Sequence, residues 1–379
     1  MTKSQQDKTV SRRRFLKGSA VAAGTAATAT VAMPNISRAE TTVLKMQSSW
    51  GSNSVFQDMA RQYTERCEKM SGGRLKFDLL PAGAVVKAFE VQNACDSGVI
   101  DCAHTVTAYW YGKNKAASLF GTCPVFGVDS TQTLAWIQSP EGSELYRELV
   151  QDILKLDVIG FFTLPMPTQP LGWFKKDINS IKDLRRLKYR TVGLATDIMQ
   201  RLGMRVTQLP GGEIIPAYER GVIDAFEFNN PTADRQLGAQ NVSKNFVLAS
   251  YHQPAEFFEI IFSKKKFESL APDLQAICQY AAEATSSANL ALAYDRYSKD
   301  LLGLINEDGV KVTRTPDSVL EAQLESWDKV LKKLERDPFF KKVLDSQRAW
   351  AERVGFFSHS NTADFKKAYK HYFPGKLND

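Results

Sequence analysis

Leu80-Pro81-Ala82-Gly83, then Ala88-Phe89-Glu90, then Gly98-Val99-Ile100-Asp101 is echoed later in the chain. The second copy runs Leu209-Pro210-Gly211-Gly212, Ala217-Tyr218-Glu219, Gly221-Val222-Ile223-Asp224. In each copy a β-rich run ends at Leu-Pro and a glycine turn opens a helix. A second glycine closes that helix before the next strand begins with Val-Ile-Asp, as expected of a residue that enters the left-handed region freely. Eight positions separate Glu90 from Gly98 but only two separate Glu219 from Gly221, so the first helix is expected to be about two turns longer. The two halves read as copies of one unit, with chance likeness of common strand-turn-helix grammar as the competing reading.

Outward from this repeat, β-rich runs alternate with helical stretches. Strands are expected at 42–47, 75–80, 100–106, 158–164, 187–192, 206–209, 223–228 and 257–263. Helices are expected at 53–70, 84–97, 130–154, 195–202, 213–220 and over most of the chain from Pro272 on. This alternation predicts an α/β protein of two lobes with a cleft between them, built on open sheets flanked by helices. A long C-terminal helical region, poor in Gly and Pro, is expected to brace both. The expected division gives 40–163 plus 253–290 to lobe I and 164–252 plus 291–379 to lobe II. Ligands of open α/β sheets bind where strand ends face a crevice, and a hinged cleft suits capture of a solute.

The first 39 residues read differently. Ser11-Arg12-Arg13-Arg14-Phe15-Leu16-Lys17 precedes a weakly apolar run from Gly18 to Met33 and then Ser37-Arg38-Ala39, the three parts of a twin-arginine export signal. Cleavage is expected after Ala39, giving a periplasmic protein. The apolar run is short and rich in Gly and Thr, unlike a spanning helix. The formal charge of +7 sits mostly there, because seven Lys/Arg face only Asp7 in this leader and the remainder is near +1. That removes the electrostatic case for nucleic acid. The five cysteines show no C-x-x-C spacing, which argues against zinc and iron-sulfur sites.

Leu209 to Ala225, LPGGEIIPAYERGVIDA, resembles a signature of the solute receptors of tripartite ATP-independent periplasmic (TRAP) transporters. The likeness extends through Cys102-Ala103-His104-Thr105-Val106 with Tyr109, Leu171-Gly172-Trp173-Phe174, Leu187-Lys188-Tyr189-Arg190 and Phe226-Glu227-Phe228. It is closest to the branch for 2-oxo and 2-hydroxy monocarboxylates. The resemblance implies that Arg190 clamps a ligand carboxylate, which a planar guanidinium does with two parallel donors. It also implies that Glu227, the Phe228 carbonyl and Gln169 hold a cation that touches the substrate. Oxygen ligands suit sodium or calcium better than zinc, and no catalytic cofactor is expected. A buried acid on an apolar strand end needs a partner of some kind, so an ordinary Arg190–Glu227 ion pair across the cleft is the alternative. Where the branch can carry an acid this chain has Gln253, which offers a carbonyl oxygen without charge, and its usual Trp is Phe228. Tyr109 is expected to hydrogen-bond the ligand and Trp173 to wall the cleft. His104 and His252 lack partners at ligand spacing and read as structural.

The resemblance further implies membrane transporter subunits as partners, and it leaves open a homodimer through the C-terminal helix. Other readings are a receptor for a dicarboxylate or aromatic acid without metal, or an exported enzyme. The chain carries no G-x-G-x-x-G, Walker, H-E-x-x-H, G-x-S-x-G or C-x-x-C run, which argues against the enzyme.

Overall fold

The structure, a computed structural model, describes residues 41–377; the leader read from residues 1–39 lies outside the described residues. Eleven strands form two sheets. They are β1 (Thr42–Ser48), β2 (Leu75–Leu80), β3 (Cys102–Thr105), β4 (Val158–Met166), β5 (Gly172–Phe174), β6 (Lys188–Arg190), β7 (Arg205–Thr207), β8 (Ala225–Phe226), β9 (Asn245–Leu248), β10 (Glu256–Ser263) and β11 (Lys311–Arg314). One sheet has the order β2-β1-β3-β10-β4 and the other β11-β9-β5-β8-β6-β7.

The sequence repeat is a repeat of backbone geometry. β1 pairs in parallel with β2 and β3, and β6 pairs in parallel with β7 and β8. The aspartate that ends each Val-Ile-Asp joins the incoming strand to its neighbour. Asp101 donates its backbone N–H to Lys45 O at 2.9 Å and accepts the Lys45 N–H on its carboxylate at 2.8 Å. Asp224 does the same to Lys188, at 2.6 and 3.2 Å. The glycine ahead of each, Gly98 or Gly221, takes φ of 73° or 70°, a region costly to residues with a Cβ.

The difference expected in helix length is not there. Residues Ala88–Glu90 form a 3-10 turn that runs into the helix Val91–Asp96, matching in extent the nine-residue helix Gly211–Glu219. The first helix starts late because the Gln47 amide takes the backbone groups that would begin it. Its Oε1 accepts from Val85 and Val86 at 2.8 and 3.0 Å, and its Nε2 donates to Val86 O at 2.8 Å. A side chain that satisfies backbone groups competes with helix formation.

Each sheet also receives an antiparallel strand from the other half of the chain: β10 lies between β3 and β4, and β5 between β8 and β9. The connections β4–β5 and β9–β10 therefore cross between lobes. Every residue of β10, EFFEIIFS, is buried, the pattern of a central strand covered on both faces. The short strands β5, β9 and β11 were not among the expected strands, and β11 interrupts the C-terminal helical stretch.

The 35-residue helix Pro272–Asn306 lies on β4 and the helix Val55–Met70 in the first lobe and on the helix Pro231–Leu237 in the second. Arg235 fastens its far end through Asp300, Glu307 and Asp308 at 3.2, 2.6 and 2.8 Å. The helix Pro338–Asn361 corrects the assignment of all of 291–379 to lobe II. Its Phe340, Val343 and Leu344 share one core cluster with Phe120, Trp136 and Phe162, burying the apolar stripe of an amphipathic helix. All five cysteines are buried and free. Among the described residues no helix is long and apolar enough to cross a membrane.

Candidate functional site

Arg190 ends β6 and Glu227 follows β8, its parallel neighbour, so register alone places the two side by side at the carboxyl ends of their strands. Both are fully buried. Arg190 Nη1 donates to Glu227 Oε1 at 2.9 Å and to Glu227 O at 2.8 Å, and Nε donates to Leu209 O at 2.9 Å. The ion pair is thus real but lies within the second lobe, not across the cleft. It leaves Glu227 Oε2 buried without a donor, and a buried acceptor left so is costly.

The two crossovers bring in the remaining polar groups. Gln169 follows β4 and Gln253 precedes β10, and the Gln169 N–H donates to Gln253 O at 3.2 Å. Both side-chain amides donate to Glu256 Oε2, each at 2.6 Å. Glu256 was missed from sequence because the strand was expected to begin one residue later, at Phe257. The signal that singled out Glu227, an acid on an otherwise apolar strand end, was present there too. The charge that Gln253 does not bring is supplied by this neighbour three residues on.

Burial raises both carboxyl groups. Glu227 is pushed up to about 7 by burial, against the pull of Arg190. Glu256 is pushed up to about 8 by burial and by repulsion from Glu227, while the two amides and Arg190 pull it down. Four oxygens here, Gln169 Oε1, Gln253 Oε1, Glu227 Oε2 and Glu256 Oε1, are buried acceptors with no hydrogen-bond donor. Two carboxylates and two amide carbonyls form a donor set for a hard cation. No three His, Cys, Asp or Glu side chains gather into a metal cluster among the described residues, so amide oxygens have to complete any such site.

A small cavity adjoins this group, with a volume of about 10 Å³, room for roughly one water molecule. Arg190, Tyr109, Glu256 and Asn229 give it polar edges, and Trp50, Phe56, Val106, Met166, Val192 and Phe228 give it apolar walls. Tyr109 reaches it from the turn Thr107–Trp110 that follows β3. Burial raises its phenol, with the Arg190 charge pulling the other way. The Phe228 ring lies 5.7 Å from the Arg190 guanidinium.

Trp173 is not in this wall. It is fully buried in the second-lobe core, stacked on Phe246 at 4.4 Å, with its indole N–H on Asp234 at 2.8 Å. Its place in the three-residue strand β5, between β8 and β9, turns the ring into the sheet packing. His104 and His252 are also buried, and burial lowers both to about 3. His104 Nδ1 accepts the Trp50 indole N–H at 2.7 Å, and His252 Nδ1 lies 2.7 Å from Ser250 Oγ.

Polar contacts join the lobes beyond the cavity. The Tyr111 hydroxyl and Lys115 Nζ both reach Asp197, each at 2.7 Å, and the Val55 N–H donates to Gln236 Oε1 at 2.7 Å.

Residues 46–337 match the bacterial extracellular solute-binding proteins, family 7. The monocarboxylate 2-oxoacid-binding periplasmic protein of Nostoc sp. is 28% identical over 362 residues, covering 94% of this chain and 98% of that protein. A TRAP periplasmic solute binding protein of Colwellia psychrerythraea, with bound calcium and pyruvate, superposes with a TM-score of 0.80. It is 27% identical, over 88% of this chain and all of that one. A TRAP transporter solute binding protein of Bordetella bronchiseptica, a mixed-occupancy dimer with calcium and picolinate, gives 0.81 at 26% identity, over 88% and 97% of the two chains. With more than half its length matched, and with the duplicated strand pattern described above, this chain belongs to the family 7 extracellular solute-binding proteins, the solute receptors of TRAP transporters.

Proposed function

We propose that this chain is the periplasmic receptor that delivers a small 2-oxo or 2-hydroxy monocarboxylate to the membrane subunits of its transporter. The observation that carries this reading is the set of four buried, donorless oxygens beside Arg190. Gln169, Gln253, Glu227 and Glu256 would hold a calcium or sodium ion, with the Phe228 carbonyl as a further ligand. When bound, that ion supplies positive charge to which the oxygens of an α-substituted acid can bind. Arg190 orients the carboxylate, Tyr109 donates its hydroxyl hydrogen bond to the ligand from the opposite lobe, and closure of the lobes excludes water. The named Nostoc relative and the pyruvate and calcium of the Colwellia protein support the same class. Picolinate in the Bordetella protein makes an aromatic acid the second substrate to try.

The test is a thermal-shift and calorimetric screen of residues 40–379 against 2-oxo acids, 2-hydroxy acids, picolinate, dicarboxylates and sugars, each with calcium, sodium or chelator. A ligand that binds only the folded state must raise its melting temperature. The expected result is a rise with pyruvate-like acids that shrinks under chelator. A response to sugars or dicarboxylates alone would overturn the substrate class.

Two further parts of the proposal have their own tests. Export through the twin-arginine route predicts that R12K/R13K holds the protein in the cytoplasm. A homodimer would cover the C-terminal helix Phe365–Tyr372, none of whose residues is buried and which exposes Phe365, Tyr369 and Tyr372. The Bordetella relative is itself a dimer.

A further inference from the structure

We propose that the Phe228 ring is the partition that sets how long a tail the bound acid can carry. This rests on the solute reading above, since it concerns the same cleft. Two cavities meet at the ring. The inner one, beside Arg190, is described above. The outer one has about 230 Å³ against about 10 Å³ for the inner and is bounded by Ser49, Ser52, Asn53, Gly211 and Gly212 among others. Trp50 and Phe228 are the two residues that line both.

These two halves of the wall are held differently. Trp50 is fixed, with its indole N–H on His104 and its ring against Phe56 and Phe258 at 5.0 and 5.4 Å. Phe228 is held by packing alone, partly buried, 5.7 Å from Phe56 and 5.7 Å from the Arg190 guanidinium. On its outer side it lies directly over Gly211. A Cβ there would stand 2.7 Å from ring atoms Cε2 and Cζ, closer than nonbonded carbons come, so the glycine is what lets the ring occupy this place. The inner walls, Phe56, Val106, Met166 and Val192, are apolar, so the tail beside the charged head group is a short aliphatic one. The larger of the two spaces lies behind the ring.

Trimming the ring joins the two spaces, whereas crowding it from Gly211 drives it toward Arg190. The experiment is calorimetric titration, in excess calcium, of pyruvate, 2-oxobutanoate, 2-oxopentanoate and 2-oxohexanoate into the parent chain, F228A, F228L and G211A. The parent is expected to favour the short acids. F228A should raise the affinity ratio of 2-oxohexanoate to pyruvate by at least about tenfold, the scale on which one or two methylenes discriminate in an apolar pocket. F228L, which shortens the ring without emptying the wall, should move the ratio in the same direction and keeps the test open should F228A not fold. G211A should weaken 2-oxobutanoate more than pyruvate. A ratio unchanged in both Phe228 variants, with pyruvate still bound, overturns the partition and leaves the receptor reading intact. Binding of no 2-oxo acid by the parent overturns both.

Discussion

Arg190 carries more than its ion pair: it is tied to Glu227 and to Leu209 O while facing the cavity. Arg190→Ala would leave the Glu227 carboxylate buried and uncompensated and should cost about 2–5 kcal/mol of affinity for a 2-oxo acid, read by calorimetry; full retention of binding would sink the clamp. The neighbouring carboxyls predict a pH signature. Their ordinary value is 4.5, and burial holds them near 7 and 8 in the folded chain. Between those limits the folded chain keeps protons that the unfolded chain has released, so stability of the cation-free protein falls as pH rises through that window. A bound cation needs the charged forms. The gain in melting temperature on adding calcium should therefore be larger at about pH 8 than at about pH 5.5, because protons compete at the lower pH. A gain independent of pH would separate these carboxyls from cation binding, and Glu256→Gln should lose most of it.

The elements that present these residues are short, and their precision comes from how strand ends are fixed. β8 has two residues and β6 three, too few to hold direction alone. Asp224 supplies the missing constraint by joining β8 to Lys188 at the base of β6, so Arg190 and Glu227 emerge in register. Gly221, with φ of 70°, is the turn that permits this. Gly221→Val should cost about 1–2 kcal/mol, seen as a lower melting temperature, with weaker ligand binding as a consequence; an unchanged melting temperature would mean that the turn relaxes. The interlobe contact of Asp197 with Tyr111 and Lys115 is 35% exposed on the lysine side. Asp197→Ala should accordingly weaken binding by no more than about 1 kcal/mol, with the cation requirement intact, since it loosens closure and touches nothing at the site.

Across the molecule, the lobes exchange strands β5 and β10 and share the helix Pro272–Asn306. On the receptor reading proposed above, closure would be a bending at the β4–β5 and β9–β10 crossovers. Ala249, not a glycine, takes φ of 60° in the β9–β10 crossover, and Leu164, at the bulge near the end of β4, takes φ of 53°, two points of backbone strain. At the far end of the described chain none of the residues of the helix Phe365–Tyr372 is buried. Removing residues 362–379 should leave the melting temperature nearly unchanged at low protein concentration and convert a dimer to a monomer in sedimentation. A truncated chain that still dimerises would move the interface elsewhere.

What was legible in the sequence follows from local rules. Helix-closing glycines, Val-Ile-Asp starts and apolar runs recur with a period that short-range physics enforces, so the duplicated α/β architecture could be anticipated, whereas the pairing of β6 with β8, which puts Arg190 and Glu227 in one lobe, could not. Glu227 stood out because a charge on an apolar strand end demands a partner, whereas Arg190 was singled out only by the family resemblance. What tertiary structure alone decided is which groups from distant segments share one point. Gln47 capturing the backbone of Val85 and Val86 shortened a helix that its own sequence favoured. Trp173, an aromatic at an expected cleft position, was drawn into the core by stacking across β5, β8 and β9. Glu256 met Gln169 and Gln253 only because two crossovers run side by side, and no local pattern encodes a contact that depends on how separate stretches of chain pack against each other.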